Sequence, residues 1–162
     1  MQYRVGVSDS DDVRWLDPAE RVVWLKFVRA ASAVLADLDR QLQRDAGVAH
    51  SHFLILSTIS MTPDDEMGVS ALAANLRYSP SRLSHALRRL EQDGWVMRSP
   101  DPTDGRAQRV RLTPEGQARV EIVAPKHVVH VRRQIFDHLT PTQVGQLGAI
   151  SDALLAGSDD TT

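Results

Sequence analysis

Apolar residues recur along this chain at two periods, and the change of period marks its parts. Leu25, Val28, Leu35, Leu38 and Leu42, with Ser32 on the same line, fall at steps of three and four. That spacing predicts an amphipathic helix over residues 18–44, stopped by Gly47. Residues 50–60 are apolar nearly all round (Phe53, Leu54, Ile55, Leu56, Ile59) and predict a helix buried on every side. Residues 61–68, with Pro63 and three consecutive acids, read as a loop. A short Ala/Leu helix follows over 70–76, then a turn at Arg77-Tyr78-Ser79. The next helix, 80–93, gathers Leu83, Ala86, Leu87 and Leu90 on one side and is broken by Gly94. Two short segments, 95–98 and 108–112, read as strands of a hairpin around DPTDGR. Val120, Val123, Val128, Val131, Ile135 and Leu139 predict a long helix from Pro114. Val144, Leu147, Ile150 and Leu154 predict a last one over 141–155, with a frayed tail after it.

Four of these helices begin in the same way, with an oxygen-bearing residue followed by proline: Asp17-Pro18, Ser79-Pro80, Thr113-Pro114 and Thr140-Pro141. The cap oxygen accepts from an orphan N–H, and proline at the first helical position lacks a donor that would be wasted there. Asp17…Glu20 and Thr140…Gln143 add the spacing of a capping box.

A length of 162 residues, 42% hydrophobic and 25% charged, fits one globular domain or two small ones sharing a core. No apolar run approaches the roughly 20 residues of a membrane span, and residues 8–12 are acidic where a signal peptide would be apolar. A cytoplasmic protein is expected. With no cysteine, disulfides, thiolate metal sites and thiol redox switches drop out. The net charge of -2 conceals a polarised chain: residues 77–111 hold eight arginines against four acids, or +4, while the rest holds 11 basic against 17 acidic residues. A polyanion responds to the local charge.

That local charge has a shape. On the helix over 80–93, Ser81, Arg82, His85, Arg88 and Arg89 crowd the side opposite the leucines, with Ser84 at its edge and Ser79 at the cap. Hydroxyls beside a helix N-terminus suit phosphate oxygens, and arginine can fork onto guanine O6 and N7. An isolated helix of this kind reads equally well as a solvated basic face. Here, though, it follows a short helix at helix-turn-helix spacing and precedes a Gly-bounded hairpin bearing Arg106, Arg109 and Arg111. The hairpin thus reads as a wing, with Arg106 as the group that enters a minor groove.

The span from Val69 to Gly116 resembles the MarR family of bacterial winged helix-turn-helix transcriptional regulators. The likeness lies in Leu72-Ala73, Leu83, Leu87, Leu90 and Glu91, then Gly94-Trp95-Val96 and Arg98, and finally Asp104-Gly105-Arg106 followed by Val110, Leu112, Thr113, Glu115 and Gly116. It implies a mainly α (α+β) fold, with a winged lobe over 48–112 and a helical dimerisation region from 17–47 and 113–156. Residues 1–16 would be an extension and 157–162 a tail. It further implies a homodimer that binds double-stranded DNA at a palindromic operator as a repressor. Ser79, Ser81, Arg82, Ser84, His85, Arg88, Arg89, Arg106 and Arg109 would face DNA, and Asp104 would orient the wing arginines. Many members hold a small aromatic or phenolic effector, for which Trp24, His52 and His127 are the candidates here, with Trp15 and His50 nearby in the same reading. Plain packing is the alternative for Trp24, and a solvated or capped imidazole for His127. His127 and His130 share a helix face but lack a third ligand, so neither metal nor cofactor is expected. No nucleophile or phosphate loop suggests an enzyme, and Ser81…His85 reads better as groove contact. The rival to a DNA-binding regulator is a winged-helix protein-interaction module.

Overall fold

The computed structural model describes residues 13–157. Residues 158–162 of the proposed tail and residues 1–12 of the N-terminal extension lie outside them, while Gly157 closes the last helix. Six helices and three strands follow in order: α1 (Pro18–Ala46), α2 (His50–Ser60), β1 (Glu66–Gly68), α3 (Val69–Leu76), α4 (Pro80–Gln92), β2 (Val96–Pro100), β3 (Gln108–Leu112), α5 (Pro114–Gln134) and α6 (Pro141–Gly157). The chain divides after Ala33 into two compact units. The first contributes the N-terminal part of α1, whose apolar side chains Val22, Val23, Trp24, Leu25 and Phe27 are all about half exposed or more. The second holds the winged lobe and the later helices.

All four proline-led caps form. Asp17 accepts from the amides of Ala19 and Glu20 at 2.6 and 2.8 Å, while Glu20 reaches back to the Asp17 amide at 2.8 Å. Ser79 accepts from Arg82 N at 3.3 Å, Thr113 from Gly116 N at 3.0 Å, and Thr140 from Gln143 N at 3.3 Å. At the other end of α1, Gly47 takes φ +64°, a left-handed stop that costs glycine little.

In the second unit α2 is the centre, as its all-round apolarity predicts: Ile55, Leu56 and Ile59 are fully buried. They join Leu72, Leu83, Leu87, Leu90, Val96 and Val110 in one core beneath the helix-turn-helix and the sheet. Leu42, Val48, Phe53 and Val123 make a smaller cluster among α1, α2 and α5.

Three sequence expectations needed correction. Residues 61–68 are more than a loop: a 3-10 turn at Pro63–Asp65 leads into β1, which pairs antiparallel with β3. The sheet therefore has three strands in the order β1-β3-β2. Strand β2 runs from Val96 to Pro100, two residues further than the expected end at 98, because its ladder with β3 continues to Pro100↔Gln108. The long helix from Pro114 ends at Gln134; Ile135 leaves helical geometry at φ -125°, ψ -69°, and a 3-10 turn, Phe136–His138, follows.

Candidate nucleic-acid interface

Helix α4 separates its two faces cleanly. Leu83, Ala86, Leu87 and Leu90 are buried, while Ser81, Arg82, His85, Arg88 and Arg89 are exposed and Ser84 is half-buried. The α3–α4 turn is tight because Arg77 closes α3 in the left-handed region at φ +51°, and Ser79 caps the next helix within two residues. Tyr78, in that turn, carries the Arg82 guanidinium 3.8 Å above its ring centroid. Stacking holds the plane and leaves the N–H edges of the fork able to donate. Arg89 lies 3.6 Å from Asp93 one turn on, a loose surface pair of little energetic weight.

The hairpin tip is built by two aspartates acting on backbone. Asp101 Oδ1 accepts from the Thr103 amide at 2.8 Å and its hydroxyl at 2.6 Å. The Thr103 hydroxyl and amide, with help from Arg109, bring the Asp101 carboxyl down to about 2. Asp104 Oδ1 accepts from the Arg106 amide at 3.0 Å, so Asp104 shapes the turn through the main chain and holds no guanidinium. Arg106 stands exposed at the tip. Among the described residues neither Arg88 nor Arg106 makes an ion pair.

The other basic side chains of the hairpin are occupied. Arg98 forks onto Glu91 at 2.9 and 2.5 Å, tying β2 to α4 and holding the Glu91 carboxyl below its ordinary value. Arg111 Nε contacts Met97 Sδ at 2.9 Å across the β2–β3 pair. Arg109 donates to Glu66 on β1 and, at 3.4 Å, to Asp101 after β2. Glu66 and Tyr78 escaped sequence reasoning. A three-residue strand has no readable period, and a turn tyrosine gives no hint of an arginine above it.

The three ligand candidates divide between the two units, Trp24 in the first and His52 and His127 in the second. Trp24 is half exposed, with its ring centroid 6.5 Å from that of Phe27 on the same helix. His127 is buried on α5, edge-on to Phe53 at 4.9 Å and bonded through Nδ1 to Gln41 Oε1 at 2.9 Å. Because Gln41 Nε2 donates to Asp45, its oxygen must face the imidazole, so His127 Nδ1 carries the proton. His52 is half-buried, in the field of Asp93, Arg89 and His85. A groove of about 400 Å³ between α1 and α5 is lined by Gln41, Asp45, Lys126, Val129, His130 and Arg133, with Pro125. A second, of about 410 Å³, lies beside the sheet at Asp64, Met97, Arg111 and Gln117. His52 and His127 line neither of them.

Burial lowers His50, His52 and His127 below the usual imidazole value of 6.5; Asp39 opposes the shift at His50 and Asp93 at His52, and His50 and His130 reinforce it at His127. In the fold these groups take up protons at a lower pH than in the unfolded chain, where uptake centres at about pH 6.5. The sign follows: their contribution is complete above that pH and is lost as the pH falls through it. Thermal midpoints should hold steady from pH 8 to 7 and drop between 6.5 and 5. A midpoint that rises on acidification contradicts the assignment.

A family model described as MarR matches residues 48–107. Sco3205 of Streptomyces coelicolor, a MarR family transcriptional regulator solved in complex with DNA, is 41% identical; the match covers 91% of this chain and 92% of that one at a TM-score of 0.86. This chain belongs to the MarR family. It is a MarR transcriptional regulator with the winged helix fold, and not an enzyme. AbsC of the same organism, another MarR family regulator, is 30% identical over 92% of this chain and all of that one, at a TM-score of 0.87. The HTH-type regulator PrsX of Escherichia coli is 24% identical over 72% of this chain and 69% of its own length. Among the described residues no helix is long and apolar enough to cross a membrane.

Proposed function

We propose that this MarR regulator is a cytoplasmic repressor that binds palindromic duplex DNA as a homodimer, with a small aromatic or lipophilic ligand lowering its affinity. One observation carries the DNA reading: the exposed basic face of α4 stands on the same lobe as a hairpin whose tip presents Arg106. The DNA complex of Sco3205 supports it. In this reading α4 enters a major groove. Ser79, Ser81 and Ser84 approach phosphates, while Arg82, His85, Arg88 and Arg89 meet base edges and the flanking backbone. Arg106 enters the adjacent minor groove, and Asp104 keeps the tip in shape without touching DNA.

The dimer reading rests on exposed apolar surface. On α6, Val144, Leu147, Ile150, Leu154 and Leu155 are 37 to 58% exposed in the single chain. A contiguous apolar row of this kind is what a partner surface covers, and a second copy of the chain is the natural one. Ligand control is the least direct part. Trp24, His52 and His127 remain its candidate contacts, and a ligand reaching His127 has to displace Phe53 or the Gln41 bond. Such a ligand releases DNA only by binding better to a DNA-incompatible arrangement of the two lobes.

The test is selection of duplex fragments by the purified protein, followed by titrations on the selected and a scrambled fragment. Arg106→Ala is expected to weaken both, since a minor-groove arginine reads charge and width. Arg82→Ala is expected to flatten the preference between them by roughly 1–3 kcal/mol. A salicylate-like acid should weaken binding and quench tryptophan fluorescence, most of the quench vanishing in Trp24→Phe. Absence of salt-dependent binding to any duplex would favour the protein-interaction module instead.

A further inference from the structure

Arginine in the wing of a DNA-binding lobe invites one assignment, contact with phosphate, and Arg109 does not fit it. It sits on β3, the centre strand, opposite Gly68 of β1 and Ser99 of β2. Glu66 lies on the diagonal of that ladder, on the same face by the two-residue period. Arg109 Nε donates to Glu66 Oε1 and Nη1 to Asp101 Oδ2, so one guanidinium grips both flanks of the sheet. The three side chains are 35, 27 and 15% exposed, only partly shielded, but one guanidinium linking two carboxylates is a network, the case in which such pairs carry weight. Both anchors lead somewhere. Glu66 opens β1, and β1 passes into α3 at Val69 with no intervening residue. Asp101 is the residue whose carboxylate organises the hairpin turn through Thr103, while its amide bonds Ala107 O at 3.0 Å.

Resting on the DNA-binding reading above, we infer that Arg109 is a positioning residue: it braces the wing against the helix-turn-helix through Glu66 and Asp101 and makes no phosphate contact. The brace fixes the angle between Arg106 and the reading face of α4, two contacts that must fall in neighbouring grooves together. The physical reason for arginine is its planar fork, which satisfies two carboxylates at once. Lysine, a point charge on a flexible stem, meets only one.

The two roles predict opposite behaviour in four variants of the 162-residue chain: Arg109→Met, Arg109→Lys, Glu66→Gln and the Glu66→Gln/Arg109→Met pair. Binding is measured from low to high salt on the selected duplex, and hydrogen exchange of β1 and the hairpin is followed in the free protein. For the brace, Arg109→Met and Glu66→Gln each weaken binding on the order of tenfold. Arg109→Lys behaves like Arg109→Met, the pair of substitutions is no worse than either alone, and the salt slope stays that of the parent. Amides of β1 and the hairpin exchange faster in both single variants. A phosphate contact would instead lower the slope by about 0.9 in Arg109→Met, spare Arg109→Lys, and make Glu66→Gln bind more tightly by unmasking charge. That pattern, or exchange unchanged in Arg109→Met and Glu66→Gln, overturns the brace. Faster exchange with no duplex bound even by the parent supports the brace and overturns the DNA reading alone.

Discussion

Gly116→Ala is expected to destabilise this protein by roughly 3–5 kcal/mol, a large part of the ~5–15 kcal/mol margin of a domain. A methyl group at that position would lie 2.0 Å from the carbonyl oxygen of Trp95 and 2.9 Å from its carbon. Gly116 is not in the left-handed region, so its reason is space. Both sides of the collision are main chain: the first turn of α5 and the turn that leads into β2. They are held together by Thr113 N donating to Trp95 O at 3.1 Å and by Thr113 Oγ1 donating to Gly94 O at 2.6 Å. No rotamer relieves such an overlap. The start of α5 must lift, breaking those bonds and loosening Val120 from Val96 and Leu112 in the core beneath. Denaturant midpoints of the purified variant measure the loss. A change under about 1 kcal/mol would mean that the backbone shifts cheaply, and the close approach would then carry no stability.

The second large effect concerns the exposed row on α6. Leu147→Glu with Ile150→Glu places two charges on side chains that are 41 and 55% exposed in the single chain. If the chain is a monomer, both changes land on solvated surface and cost little. If the row is a dimer seam, two carboxylates are desolvated without partners on each side and the dimer dissociates. Light scattering should then fall from about twice 18.0 kDa to about one chain mass. Binding to the selected duplex should drop by roughly 10²–10⁴-fold, because two half-sites no longer act as one bivalent ligand. Circular dichroism of the winged lobe should be retained. A variant that keeps the doubled mass shows that the seam lies elsewhere, and one that is monomeric yet binds at full strength removes the need for two half-sites.

The helix starts were legible in the sequence because a cap is local. Ser79 and Arg82, or Thr113 and Gly116, are three residues apart, so both partners of the bond can be read from one short stretch. The same holds for the two faces of α4, since a 3.6-residue period sorts Leu83, Leu87 and Leu90 from Arg82, His85 and Arg88 without reference to any neighbour. Three outcomes had no such signature. Strand β1 is three residues long and exists only because β3, more than 40 positions later, supplies its partners. Helix α5 keeps an apolar period past Gln134, yet the backbone turns at Ile135, so periodicity overran the end of the element. Most telling is Arg109, which reads in the sequence as one basic residue among several. Its partners stand 43 positions before it and eight before it, and only the folded sheet brings both within reach. Sequence thus determined which faces exist and which residues stand on them. Which of the charges is left for a partner, and which is consumed in holding the lobe together, depended on contacts between distant strands, whose energies no local pattern encodes.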